Sequence, residues 1–93
     1  MKRELIVTTK FKRAFRKFVR RDKKLQRSVE ITLEQMQEDI FSSSLNTLKL
    51  SGTLEGLRAC SCGYDCQIVF SLEQGTDTEL LVLLDIGKHD SIY

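Results

Sequence analysis

The sequence predicts an α+β fold of order β-α-α-β-β-β, with a helical hairpin packed on one face of a small, mainly antiparallel, twisted sheet. Three observations carry this: a short β-branched opening at Glu4-Leu5-Ile6-Val7-Thr8, apolar residues at helical spacing as far as Ile40, and strand-like runs separated by Gly-containing turns after Thr47. A length of 93 residues leaves room for one hydrophobic core, so residues 1–93 are expected to form a single domain.

The opening run reads as the first strand, and Thr8 or Thr9 is suited to cap the helix that follows. Phe11, Phe15 and Phe18 recur at spacings of four and three, which sets them on one stripe facing the core. Lys12, Arg13, Arg16, Lys17, Arg20 and Arg21 populate the remaining surface. Asp22 marks the turn between helices, after which Leu25, Val29, Leu33, Met36 and Ile40 form a second amphipathic stripe that ends at the polar Ser42-Ser43-Ser44.

Beyond Leu48-Lys49-Leu50-Ser51-Gly52 the chain bends into three strands, Leu57 to Cys62, Asp65 to Leu72, and Leu80 to Ile86. Gly63-Tyr64 fits a two-residue hairpin turn, and Gln74-Gly75-Thr76-Asp77 a longer one. A two-residue turn sets Cys62 opposite Asp65 and Cys60 opposite Gln67. Alternation then assigns Leu57, Ala59, Cys66, Ile68 and Phe70 to the helix-covered face, and Arg58, Cys60, Cys62, Asp65 and Gln67 to a bare polar face able to hold a ligand. The end of the last strand is expected beside Asp65, bringing Gly87-Lys88-His89-Asp90 toward it.

The longest apolar run, Leu80 to Leu84, is five residues, against the roughly 20 that cross a bilayer. No continuous apolar segment follows Met1-Lys2-Arg3, so no signal peptide is read and a cytoplasmic location is expected, away from membranes. The formal charge of +2 conceals a strong asymmetry: residues 1–27 hold twelve of the fifteen Lys/Arg and two of the thirteen acids, giving +10 there and −8 in the remainder. Such a basic segment suits a phosphate backbone, and equally suits a solvated helix face.

No phosphate-binding loop, zinc-protease helix or serine-hydrolase elbow occurs. Cys60, Cys62, Cys66 and His89 have the chemistry of a zinc set, but the expected hairpin sends Cys66 to the face opposite Cys60 and Cys62, which argues against one shared ion. An odd cysteine count in a chain read as cytoplasmic argues against a disulfide framework.

Several ordered segments carry a resemblance: Thr9-Lys10-Phe11-Lys12-Arg13, Leu48-Lys49-Leu50-Ser51-Gly52, Leu54-Glu55-Gly56-Leu57-Arg58, Tyr64-Asp65-Cys66-Gln67-Ile68-Val69-Phe70 and the closing Ile86-Gly87-Lys88-His89-Asp90-Ser91-Ile92-Tyr93. Together they resemble the RelE/ParE superfamily of bacterial toxins, in particular its RNA-cleaving RelE and YafQ-like branches. That resemblance implies a ribosome-dependent mRNA endonuclease that uses no metal or cofactor. It also implies a cognate antitoxin that holds the toxin inactive in a hetero-oligomer.

Cleavage of this kind uses the neighbouring 2′-OH as nucleophile and wants a base there, cations at the phosphate and an acid at the departing 5′-oxygen. By resemblance His89 is the acid, Asp65 the base or the group orienting the 2′-OH, and Tyr93 the terminal aromatic that stacks on a base or bonds the phosphate. Arg58 and Lys49 are assigned to the phosphate. Lys12, Arg13, Arg16, Lys17, Arg20 and Gln67 are assigned to RNA binding, and the same basic helix or the site face to an acidic or amphipathic antitoxin segment.

Two departures stand against this assignment. Many RelE-like members have an arginine where this chain has Gln67, and the YafQ-like branch has a histidine where it has Ser61. Loss of a full charge at the phosphorane costs roughly two to three kcal/mol, or ~10²-fold in rate. A non-catalytic or degenerate binder of the same fold, occupying an antitoxin or acting on gyrase, is therefore the second expectation. An unrelated basic RNA-binding domain is the third.

Overall fold

The computed structural model describes residues 3–63 and 65–88. It contains β1 (Glu4–Val7), α1 (Thr9–Phe18), α2 (Lys23–Glu38), β2 (Leu48–Lys49), β3 (Arg58–Ser61), β4 (Gln67–Gln74) and β5 (Glu79–Gly87), with single 3₁₀ turns at Ser43–Leu45 and Gly52–Leu54. The expected α+β order holds, with one addition: the two-residue β2 pairs with β3 and becomes an edge of the sheet. It is too short for periodicity to reveal.

Thr8 builds the junction between β1 and α1. Its side chain accepts the Phe11 N–H at 3.1 Å, capping α1, while its hydroxyl donates to the Leu83 carbonyl at 2.7 Å and ties the helix start to β5. Along α1, Phe11 is buried and its ring stacks on Phe15, with centroids 6.1 Å apart. Ala14, Phe15 and Phe18 pack against the same core. Lys12, Arg13, Arg16, Lys17 and Arg20 are exposed, and Arg16 and Lys17 lie in the last turn, where cations complement the helix dipole.

The chain reverses through Arg21 in a left-handed conformation at φ 61°, and Asp22 then caps α2 by accepting the Leu25 N–H at 2.9 Å. Val29 and Met36 are fully buried on α2, with Leu25 and Leu33 packed beside them. Ile40 lies past the helix end yet is also fully buried. Thr47 holds that segment by donating to the Ile40 carbonyl at 2.6 Å.

The sheet order is β1-β5-β4-β3-β2. β1 runs parallel to β5, and the β5–β4, β4–β3 and β3–β2 pairs are antiparallel. One apolar layer lies under the helices and includes Cys60, Cys62, Cys66, Ile68, Phe70, Leu81, Leu83 and Ile86. A smaller one, Leu50, Ala59 and Val69 with Leu54, Leu57 and Leu84, lies on the reverse face beneath the β2–β3 connection.

The β3–β4 register differs from the expected one by one residue. Ser61 pairs with Gln67 and Cys60 with Ile68, and the Cys62 N–H donates to the Cys66 carbonyl, so the turn spans residues 63–65. One extra turn residue reverses the relation between the two strands' faces. Cys60 and Cys62 therefore share the helix-covered face with Cys66, while Ala59 and Leu57 belong to the reverse face. The expected separation of Cys66 from Cys62 is overturned, as is the expectation against a disulfide: Cys62 and Cys66 are bonded, with Cα atoms 5.1 Å apart. Cys60 is a free buried thiol, and desolvation pushes it up to about 12.

Removing the methionine side chain that fills the space under α2, in Met36→Ala, is expected to cost roughly 2–5 kcal/mol. Thr8→Ala loses a helix cap as well as the tie to Leu83, at about 1–2 kcal/mol. Urea unfolding of both variants beside the wild type measures these losses, and an unchanged midpoint for Thr8→Ala would show that the β1–α1 junction is held by something else.

Candidate functional site

A cleft of about 830 Å³ opens at the end of the sheet where β5 finishes. Its apolar walls are Ala14 and Phe18 of α1, Leu25 of α2 and Ile86 of β5, and its charged lining is Lys17, Asp22, Asp65, Asp85 and Lys88. A second hollow of about 480 Å³ at the C-terminal end of α2 is lined by Glu34, Glu38 and Asp39. The charged groups that line it are all acidic, whereas the cleft beside α1 brings both signs of charge together, and that cleft is the candidate.

Asp65 reaches the cleft from the β3–β4 turn. It is exposed and left-handed at φ 53°, a conformation Asp tolerates better than most residues with a Cβ, and it follows Gly63 at φ 116°. Ser28 on α2 anchors the turn by donating to the Cys62 carbonyl at 3.2 Å.

Asp85 comes from a β-bulge. Val69 pairs with Asp85 and the next residue, Phe70, pairs with Leu83, so Leu84 is the extra residue on β5. The Asp85 carboxylate accepts the Ile86 N–H at 2.9 Å and faces Lys10, whose Nζ is 3.7 Å away. Together the cleft combines carboxylates able to take or orient a proton, ammonium groups able to meet a phosphate, and apolar walls able to accept a flat ring. Among the described residues no three ligating side chains gather as a metal site, and no helix is long and apolar enough to cross a membrane.

The residues predicted from sequence separate into three places. Asp65 and Lys17 line the cleft, and Lys88, which precedes His89 in the chain, lines it too. Arg58 and Lys49 are elsewhere: they face each other across β3 and β2, and the Arg58 guanidinium lies over the Phe41 ring, 5.6 Å from its centroid. That corrects the expected grouping of Arg58 with Asp65, because Arg58 stands at the opposite end of β3 from the Asp65 turn. Gln67 pairs with Ser61 on the reverse face, its amide 3.5 Å from the Ser61 hydroxyl. The expected bare polar face is not the one that carries the cleft. His89 and Tyr93 lie outside the described residues. Asp85, Lys10 and the apolar walls were not anticipated; a bulge leaves no periodic signal, and Phe18 and Leu25 read simply as core.

No family model matches the sequence, and no curated protein matches it. Solved structures do match the fold. The YoeB/ParE toxin from Agrobacterium tumefaciens superposes with a TM-score of 0.76 at 13% identity, covering 92% of this chain and 98% of its own. YafQ from E. coli strain BL21(DE3) gives 0.76 at 14% identity, covering 98% of each chain. The RelBE2 toxin–antitoxin complex from Mycobacterium tuberculosis gives 0.72 at 16% identity, covering 96% of this chain and 100% of the matched one.

The left-handed turn yields a structural test. Asp65→Asn should leave stability within about 0.5 kcal/mol, because Asn tolerates φ > 0, whereas the β-branched Asp65→Val should cost about 1–2 kcal/mol. Thermal unfolding of the pair checks this, and equal stability would contradict the turn conformation. With two helices on a five-stranded sheet ordered β1-β5-β4-β3-β2, the chain has the RelE/YafQ-like toxin fold.

Proposed function

We propose that this chain is the toxin of a toxin–antitoxin pair and cleaves mRNA on the ribosome in the cytoplasm. The observation that carries the reading is the juxtaposition at the cleft: Asp65, Lys17 and Lys88 meet there, beside the exposed basic surface of α1. The resemblance of the closing segment and the shared fold support it, and the RelBE2 neighbour is itself a toxin–antitoxin complex.

In this reading α1 recruits RNA through its cations, and counterion release drives much of the affinity. Asp65 accepts or orients the proton of the 2′-OH, whose oxygen attacks the adjacent phosphorus. Lys17 and Lys88 take the cationic role at the phosphate, in place of the more distant Arg58 and Lys49. His89 gives a proton to the departing 5′-oxygen, a role suited to an imidazole. The nucleophile belongs to the RNA, so the protein supplies proton transfer and charge stabilisation. Tyr93 is assigned the stacking or phosphate contact. The antitoxin would carry an acidic or amphipathic segment that covers Arg13, Arg16 and Arg20 or the cleft.

A second reading is favoured by one observation. Ser61 and Gln67, the two departures from the family pattern, are direct cross-strand partners and offer only neutral groups. A chain so altered would bind its antitoxin without cutting RNA.

Induced expression of the wild type, His89→Ala and Asp65→Asn, with growth and the 5′ ends of cellular messages recorded, separates the readings. Wild type should arrest growth and create codon-phased ends, and each variant should lower cleavage about 10²-fold or more. Arrest without new ends, or no arrest, favours the non-cutting binder. Separately, Arg13→Ala/Arg16→Ala should weaken binding to a single-stranded RNA oligonucleotide and reduce the slope of log affinity against log salt by about 1.4. An unchanged slope would remove α1 from the RNA path.

A further inference from the structure

The turn that carries Asp65 is flanked on both sides by cysteine. Cys62 and Cys66 stand directly across from one another, joined both by the Cys62 N–H to Cys66 carbonyl bond at 3.1 Å and by their sulfurs. The bond spans a sequence separation of four, so it closes a very small loop. Loops this short give the least entropic stabilisation of the whole chain. Both sulfurs also sit in the apolar layer under the helices, where two reduced thiols pack as small hydrophobic groups. The fold therefore does not depend on the bond.

The turn does depend on it. Gly63 and Asp65 both have positive φ, at 116° and 53°, and a non-glycine residue keeps such a conformation when its surroundings over-determine it. The covalent link is one of those determinants, together with the Ser28 bond to the Cys62 carbonyl. With the link closed, the Asp65 backbone is held where its side chain lines the cleft. With the link open, Gly63 and Asp65 gain freedom to relax toward negative φ, and the carboxylate moves with them.

We propose that Cys62 and Cys66 form a reversible thiol–disulfide site that switches the placement of Asp65 in the cleft. The oxidant is a low-molecular-weight disulfide of the glutathione class. One cysteine loses its proton to solvent and its thiolate attacks the glutathione disulfide, releasing one glutathione thiolate and leaving a mixed disulfide. The second cysteine, deprotonated in turn, attacks the protein sulfur of that mixed disulfide and releases the second glutathione thiolate. Each released thiolate takes up a proton, so the cysteine pair is oxidised by two electrons and glutathione disulfide is reduced to two glutathiones. A dithiol reverses the sequence. Each cysteine is 1% exposed, so exchange proceeds through opening of the turn at the sheet end. Cys60, fully buried within β3 and away from the turn, stays outside the exchange.

The switch of the turn stands by itself; its consequence for RNA rests on the functional reading above. The full chain is equilibrated with glutathione disulfide or with dithiothreitol, denatured and alkylated with iodoacetamide for intact mass. Parallel samples are followed by hydrogen exchange. The oxidised chain should take up one label, on Cys60, and the reduced chain three. Amides of residues 62–66 should exchange about tenfold faster in the reduced chain, with β4 and β5 unchanged. Cys66→Ala should show the faster exchange under both conditions, and RNA cleavage should respond to redox state in the wild type but not in that variant.

Three labels after glutathione disulfide treatment, or equal exchange of the turn in both states, would overturn the switch. A redox-dependent turn with no RNA cleavage in either state would uphold the switch while removing the functional reading.

Discussion

The β4–β5 ladder has to serve two apolar faces at once, and the bulge at Leu84 is the constraint on which the cleft depends. Leu81 and Leu83 point under the helices, so uninterrupted alternation would send Asp85 into that layer and Ile86 out to the reverse face. Burying an unpaired carboxylate among leucines costs several kcal/mol. The extra residue resets the phase after Leu84, which keeps its place in the reverse-face cluster: Ile86 returns to the main core, and Asp85 turns toward Lys10 at the start of α1. One inserted residue thus removes a buried charge and furnishes a wall of the cleft.

The same ladder locates everything else around that cleft. Thr8 fastens α1 to β5 at Leu83, which sets Ala14, Lys17 and Phe18 beside the end of the strand. The pairing of Gln67 with Gly87 brings the β3–β4 turn to that end as well. The cleft consequently holds both signs of charge, whereas the outward surface of α1 is basic. A surface that needed only to hold phosphates would gain nothing from Asp65 and Asp85 in its lining, since each repels a polyanion. In the proposed function, their presence beside a steering surface serves proton transfer close to a bound phosphate.

The elements long enough to repeat their period were legible in the sequence. The phenylalanine stripe of α1, the Leu25 to Met36 stripe of α2, the Thr8 cap and the strands of the C-terminal half stand where periodicity and capping chemistry place them. Features that depend on a single residue were not legible. Two-residue and three-residue turns at Gly63 are nearly equivalent in composition, yet the choice between them reverses which cysteines share a face. The structure's three-residue turn joined Cys62 to Cys66, an outcome that counting cysteines argued against. Asp65 was identifiable as a candidate because it adjoins a glycine turn in the motif. Asp85 was not, because a bulge breaks the alternation that sequence reading relies on. Arg58 was assigned to the wrong face and the wrong neighbourhood: alternation sets it with Cys60 and Cys62 on the helix side of the sheet, and it ends over Phe41, beyond α2.

The register also bears on the two departures from the toxin pattern. As separate sequence positions, Ser61 and Gln67 look like independent losses of a histidine and an arginine. In the sheet they are direct partners on the reverse face, at the edge of the turn that bears Asp65. Side chains directly opposite one another interact, and changes at such positions do not add. A histidine and an arginine placed there together would repel whenever both were charged, whereas the serine and glutamine present are neutral, with the Gln67 amide 3.5 Å from the Ser61 hydroxyl. The Ser61–Gln67 pair leaves the reverse-face end of β3 and β4 neutral. The charged groups at that end, Lys17, Asp65, Asp85 and Lys88, line the cleft beside α1.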